Sequence, residues 1–261
     1  MLTDGYYNMD CMEGMKEFPD GYFDLAIVDP PYGGGAVKDA EETFNGAVKG
    51  RFGGRFEKYL EEQPKNPELG AHFVGRGRSK KYQEMYQPEI KLDRRGGQWA
   101  AKYEKDIKHW DVAPDESYFK ELFRVSKNQI IWGGNYFSLP PTRCFLIWRK
   151  LTISETFTMA MCEYAWTSFN ENAKWIELVP QGKDRFHPTQ KPVALYEWVL
   201  QHYAKDGDRI LDTHVGSASS LIACRNTGHP FVGFEIDETY YKKSKERLDR
   251  ETAQRNIFDF L

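Results

Sequence analysis

Arg209-Ile210-Leu211-Asp212-Thr213-His214-Val215-Gly216-Ser217-Ala218-Ser219 is the stretch that decides the architecture of this chain. A short apolar strand ends in an acidic residue, a glycine-containing turn follows, and the pattern through Cys224 reads as a helix. Phe231 to Phe234 reads as the next strand and ends in Glu235. Strand, turn, helix, strand and a closing carboxylate make a nucleoside-binding βαβ unit. Gly216 lets backbone approach a ligand closely, and Glu235 can hold two ribose hydroxyls. The dinucleotide pattern G-x-G-x-x-G is absent, as is the lysine of a phosphate-binding loop.

Just upstream, His187-Pro188-Thr189-Gln190-Lys191-Pro192 opens a helical pattern with Leu195, Val199 and Tyr203 on one side, and Pro192 suits a first turn. Far upstream, Asp24-Leu25-Ala26-Ile27-Val28 reads as a buried strand that runs into Asp29-Pro30-Pro31-Tyr32. Two prolines cannot continue a sheet ladder, so the strand stops there. Its end presents a carboxylate, the free carbonyl of Pro30 and an aromatic ring. That set suits a flat base with an exocyclic amino group: Asp29 and the Pro30 carbonyl each accept one N–H, and Tyr32 stacks on the ring. The same four residues also fit a strand that merely ends in a Pro-Pro turn.

Taken together, these segments resemble the amino-methyltransferases of DNA, in the β-class order. In that family the Asp-Pro-Pro-Tyr motif lies near the N-terminus, the target-recognition region in the middle and the cofactor motifs at the end. The resemblance covers most of the chain outside residues 33–110. It departs in the glycine turn, where the family usually has Phe at His214, Gly at Ala218 and Thr at Ser219.

The resemblance implies an α/β fold: a Rossmann-like, S-adenosylmethionine-dependent methyltransferase with a mixed seven-stranded sheet, helices on both faces and a circularly permuted motif order. Asp29, Pro30, Pro31 and Tyr32 are then the catalytic set. Asp10 would bind the adenine amino group of the cofactor, with Cys11 beside it, and Glu235 its ribose. Ile236 covers the adenine ring, and His214 can pack over the cofactor. Asp212, Gly216, Ser217, Thr189 and Lys191 would surround the methionine portion, Lys191 as a candidate for its carboxylate. Thr189 and Lys191 also fit as helix-entry residues, and Asp237 reads as a helix N-cap. Asp10, Asp29, Asp212 and Glu235 all fall at strand carboxyl ends, where ligands sit in open α/β sheets.

Composition agrees. A chain of 261 residues supports one large α/β domain. No apolar run approaches membrane-spanning length, and Met1-Leu2-Thr3-Asp4 lacks the basic and apolar regions of a signal peptide. The 4 cysteines are scattered without metal-ligand spacing and read as reduced thiols, so a cytoplasmic protein without a metal is expected.

The net charge of −3 excludes a uniformly basic protein, but residues 33–109 hold 16 Lys and Arg against 12 Asp and Glu. Lys49, Arg51, Arg55, Arg76, Arg78, Lys80 and Lys81 lie there among aromatics such as Phe52, Phe56, Tyr82 and Tyr86. Basic groups interleaved with aromatics suit phosphate contact and base stacking, so this long insertion is the candidate DNA-binding segment, although a solvated polar loop fits too. The stretch 168–185 is a second, shorter candidate for target recognition. Further elements are a strand at Tyr6–Asp10, a helix at Cys11–Phe18, a helix at Glu116–Val125 and a strand at Asn128–Trp132. Strands at Cys144–Trp148 and Met161–Trp166 read as an antiparallel edge, and the last helix as Glu238 to about Arg250.

Adenine-N6 methylation of double-stranded DNA with base flipping is the leading reading, since the motif starts with Asp rather than Ser. Cytosine-N4 methylation is the alternative within the class, and an inactive nucleic-acid-binding module the alternative outside it. A homodimer is an expectation of the resemblance. The tail, Gln254-Arg255-Asn256-Ile257-Phe258-Asp259-Phe260-Leu261, either docks on its own domain or serves as a peptide for a replication sliding clamp.

Overall fold

The computed structural model describes residues 2–33, 112–153, 160–180 and 185–258, with side chains to residue 253. Residues Met1–Gly34 and His109–Leu261 form one compact unit and Gly35–Lys108 another. The second unit lies outside the described residues, and with it the DNA-binding candidates Lys49, Arg51, Arg55, Arg76, Arg78, Lys80 and Lys81. The tail residues 254–261 have no described side chains.

The first unit contains strands β1 (Gly5–Asn8), β2 (Phe23–Val28), β3 (Ser126–Trp132), β4 (Phe145–Lys150), β5 (Cys162–Thr167), β6 (Lys174–Leu178), β7 (Ile210–Asp212) and β8 (Phe231–Glu235). Its helices are α1 (Cys11–Lys16), α2 (Glu116–Val125), α3 (Val193–Tyr203), α4 (Ser219–Thr227) and α5 (Glu238–Phe258). The strands form one sheet in the order β1-β8-β7-β2-β3-β5-β4-β6. Pairing is parallel except where β5 meets β3 and β4.

The α/β Rossmann-like architecture therefore holds, with one correction. The sheet has eight strands among the described residues, not seven. The additional strand, β6, lies within the 168–185 stretch expected to serve recognition, and it pairs in parallel with β4. Its five residues include Lys174 and Glu177, and an edge strand of mixed polarity leaves little periodic signal. The last helix also runs further than its apolar spacing suggested, to Phe258.

Both faces of the sheet are covered, which is why β2 reads as a continuous apolar run. Leu25 and Ile27 face one core, shared with Leu195, Val199 and Leu200 of α3 and Leu221 and Ile222 of α4. Ala26 and Val28 face the other, with Met15 of α1 and Phe119, Leu122 and Val125 of α2. Helix α1 approaches so closely that a Cβ at Gly14 would run into the Phe234 ring. No helix of the described residues is long and apolar enough to cross a membrane.

Arg124 ties the chain together across the insertion. Its guanidinium donates to the Phe18 carbonyl at 3.0 Å and the Met15 carbonyl at 3.1 Å, and to Asp20 and Glu121 at 2.7 and 2.6 Å. It thereby caps the end of α1 from α2. Arg124→Ala should lower the unfolding free energy by about 2–3 kcal/mol, because charge-assisted bonds and two carbonyl partners are lost together. Arg124→Lys should restore only part of it, since a point charge cannot reach both carbonyls. Urea denaturation monitored by circular dichroism checks both.

Candidate active site

The carboxyl end of β2 delivers Asp29 just beyond the last paired residue, Val28. The Tyr32 hydroxyl donates to Asp29 Oδ1 at 2.7 Å. Burial, then the adjoining Asp29 and Glu163 charges, hold the Tyr32 phenol well above its usual pKa, so it remains a donor. The Tyr32 ring stacks on Tyr136 with centroids 4.6 Å apart and planes 19° from parallel, and Phe137 meets it edge-on at 6.1 Å. Gly133 makes this approach possible: its φ is +66°, and a Cβ there would collide with the Tyr32 ring. Tyr136 was not singled out from the sequence; the pair Gly133-Gly134 at the end of β3 was the available clue. Among the described residues, no N–H donates to the Pro30 carbonyl.

Asp29 Oδ2 is taken by the Lys191 ammonium. Lys191, only 4% exposed, also pairs with Glu163 at 3.1 Å, and Glu163 pairs in turn with Lys150. Burial alone would lower the Lys191 pKa, yet Asp29 and Glu163 outweigh it and hold the group above the usual lysine value. For Glu163 the opposing balance holds: burial raises its pKa, but Lys191 and Lys150 bring it below the ordinary carboxylate range. Glu163 and Lys150 carried no signal in the sequence reading. The cofactor candidate Lys191 thus stands against the proposed catalytic carboxylate.

The other candidates gather around the glycine turn. Glu235 accepts from the Gly216 N–H at 2.8 Å and the Asp237 N–H at 2.9 Å. Asp212 accepts from the His214 N–H at 3.0 Å and from the Ser220 hydroxyl. Burial raises both carboxyls, Asp212 to about 7. Gly216 has φ +54°, and the place its Cβ would take lies 3.1 Å from the His187 ring. That ring bonds Thr189 Oγ1 at 3.2 Å and packs edge-on against Tyr240. His214 bonds Thr213 Oγ1 at 2.9 Å and packs against Tyr118, while Ser217 Oγ meets Ser219 Oγ at 3.1 Å. Burial lowers His187 to about 3 and His214 to about 4, so both rings are neutral at neutral pH.

Asp10 caps α1, its Oδ1 accepting from Met12 N–H at 2.7 Å and Glu13 N–H at 3.3 Å. Cys11 follows, its thiol pushed up to about 12 by burial and the neighbouring Asp10. Ile236 is exposed, and Asp237 caps α5 through the Tyr240 N–H at 2.8 Å, as its position after Glu235 suggested.

This is an acceptor-rich end of the sheet. Asp212 is buried and Glu235 half-buried, both among N–H and hydroxyl donors rather than cations. Such a set suits hydroxyls and a positive centre, and it repels a phosphate. No group of His, Cys, Asp and Glu fit to hold a metal occurs among the described residues.

The raised Asp212 has a consequence for stability. The native state holds its proton more tightly than the unfolded chain, whose carboxyl has the ordinary value of 3.8. Stability should therefore fall as pH rises from about 4 to about 7 and level off above that. Asp212→Asn should flatten this slope and make the variant more stable than the parent at pH 8, with little or no gain at pH 5. Urea titrations at the two pH values check it; parallel curves would contradict the assignment.

Over 65 residues the chain is 42% identical to the type II methyltransferase M.HpaI of Haemophilus parainfluenzae and 38% identical to M2.DpnII of Streptococcus pneumoniae. Each match covers 25% of this chain but only 21% and 24% of the respective relative. The crystal structure of the M1.HpyAVI–SAM complex aligns over 93% of this chain and 98% of its own, at 18% identity and a TM-score of 0.43. A family model described as DNA methylase matches residues 61–246. That span takes in His187–Pro192, the glycine turn and Glu235, while Asp29–Tyr32 precedes it. With most of its length matched, the chain belongs to the N6_N4_Mtase family of DNA methylases.

Proposed function

We propose that the protein transfers a methyl group from S-adenosylmethionine to the N6 amino group of adenine in double-stranded DNA. The observation that carries this reading is the shared sheet edge. Asp29, with its aromatic stack, follows β2, and the carboxyls of Asp212 and Glu235 end the neighbouring strands β7 and β8. The family membership and the type II methyltransferases among the relatives support it.

S-adenosylmethionine supplies a sulfonium-bound methyl group already activated for displacement. In this reading Glu235 accepts from its ribose, Asp10 from its adenine, and buried Asp212 favours its positive charge. The adenine to be methylated leaves the duplex stack at a cost of a few kcal/mol. Tyr32 and Tyr136 offset part of that by stacking. Asp29 and the Pro30 carbonyl each accept a hydrogen bond from one amine N–H and favour a pyramidal nitrogen as it takes the methyl group; the thioether S-adenosylhomocysteine leaves, and the methylated nitrogen gives up one proton to solvent. Such positioning requires no strong general base. By the habit of the family it resembles, a motif opened by Asp rather than Ser supports adenine over cytosine.

Incubation with labelled S-adenosylmethionine and methylation-free bacterial DNA, followed by nucleoside mass spectrometry, tests both the reaction and the base. N6-methyladenine is expected; N4-methylcytosine would redirect the substrate assignment. Asp29→Ala should lower methyl transfer by about 10²–10³-fold or more while leaving cofactor binding near the parent value. Glu235→Ala should instead weaken cofactor binding by about 1.5–3 kcal/mol in calorimetry. Transfer that survives in Asp29→Ala would refute the catalytic assignment.

The basic insertion is proposed to hold the DNA backbone. Replacing Arg76, Arg78, Lys80 and Lys81 together by Gln should weaken DNA binding and reduce the slope of log K against log salt by up to about 3–4. Cofactor affinity should stay unchanged. An unaltered slope would leave recognition to residues 168–185.

A further inference from the structure

Lys150, Glu163, Lys191 and Asp29 form a line of alternating charge that ends at the proposed catalytic carboxylate. Three features distinguish it from a surface ion-pair network. Lys150 and Lys191 are 7% and 4% exposed, so their charges are matched by carboxylates rather than water. Each Asp29 oxygen has a different partner: Oδ2 faces an ammonium, and Oδ1 faces the neutral Tyr32 hydroxyl. Glu163 lies between two ammonium groups that would otherwise face each other across the interior.

We propose that Glu163 is a positioning residue for methyl transfer. Ion-paired with Lys150 on one side and with Lys191 on the other, the latter by charge at 3.1 Å without a hydrogen bond, it holds the Lys191 ammonium at Asp29 Oδ2 and so leaves Oδ1 for the target amine. The exchange at Oδ1 is the less costly one. An amine N–H replaces a phenol O–H there, so a neutral donor rather than a buried charge gives up its partner. Displacing Lys191 from Oδ2 would strand an ammonium beside Glu163 with one counter-charge removed. The incoming base is thereby directed to one side of Asp29, the side where Tyr32 and Tyr136 stack. The inference rests on the reading of Asp29 as acceptor of the amine. It also takes Lys191 out of the cofactor's carboxylate site, where the family resemblance would put it.

The groups facing Lys191 define the electrostatics of a test. They are Asp29 after β2, Glu163 on β5 with Lys150 behind it on β4, and His187 on its own loop, and the ammonium lies over the Trp132 ring of β3 at 5.6 Å. Of these, the two carboxylates raise the Lys191 pKa, and Glu163→Gln removes one of them. Lys191 should then lose its proton at lower pH. In the full-length protein, the alkaline limb of the kcat profile on methylation-free bacterial DNA should move to lower pH. Cofactor affinity by calorimetry should stay within about twofold. The Lys191 signal in lysine-labelled NMR should shift its titration the same way, a readout independent of turnover. Glu163→Asp should restore part of both.

If Glu163→Gln does not fold, the double variant Lys150→Met/Glu163→Gln removes the excess charge and is read by the same two measurements. Superimposable profiles and an unmoved Lys191 titration would overturn the proposal. So would a loss of cofactor affinity with no change in the pH profile. Asp29→Ala, run alongside, separates the two levels: if it retains activity, the underlying functional reading fails. If it is inactive while Glu163→Gln behaves as the parent, only the positioning role fails.

Discussion

Leu211 pairs with Ala26 on one side and Val232 on the other, both in parallel, and this double register sets where the acidic strand ends fall. Strand β7 has only three residues, all buried, so burial rather than length holds it in place. Because its neighbours run the same way, Asp212, Glu235 and Asp29 emerge at one edge of the sheet. A slip of one residue would turn Leu211 out of its core and carry Asp212 to the opposite face. The site and the core are therefore specified by the same pairing.

What could be read from the sequence was whatever had a local signature. Asp29, Asp212 and Glu235 each close a short apolar run beside a turn-forming residue, so both the strand and its acidic end were visible. Helix α2 was read with its observed bounds from Phe119, Leu122 and Phe123 on one side, although the face it buries is Tyr118, Phe119, Leu122 and Val125. Glu163 gave no such sign. It is the second residue of β5, and it reaches the site because β5 runs against its neighbours, which brings the start of that strand to the carboxyl edge of the others. Lys150 arrives there as the last residue of β4. The importance of both depends on Lys191, which comes from the loop before α3. No spacing rule joins three residues from separate elements. Strand β6 escaped for a related reason: its identity comes from pairing with β4, not from its own composition.

The edge carries unequal electrostatics, and the inequality has a use. Asp29 and Glu163 have lysines beside them. Among the described residues, Asp212 and Glu235 are held by N–H and hydroxyl donors, and burial raises both. A buried carboxylate without a cation is unfavourable for folding, and a ligand with a positive centre relieves that cost when it binds. The half of the edge beside the aromatic stack is internally neutralised, as suits an uncharged base. The half around the glycine turn is left acidic, as suits a sulfonium nucleoside. One sheet edge thus divides into two chemically different compartments without any change of backbone architecture.

The glycine turn shows how far its chemistry can vary without changing its path. Ala218, where the family usually has glycine, is the one non-glycine residue with positive φ among the described residues, at +62°. An alanine in that region costs about 1–2 kcal/mol. Its methyl group is fully buried, however, and one buried carbon returns about 0.8 kcal/mol. The restriction alanine places on the unfolded chain returns about 0.4–1 kcal/mol more. These contributions nearly cancel, so the turn can accept the methyl group and keep its left-handed step into α4. Gly216 has no such latitude. Its φ is also positive, and the His187 ring occupies the space beside its missing side chain. The constraint that preserves this turn therefore rests on the single glycine packed against His187, on the loop that carries Lys191.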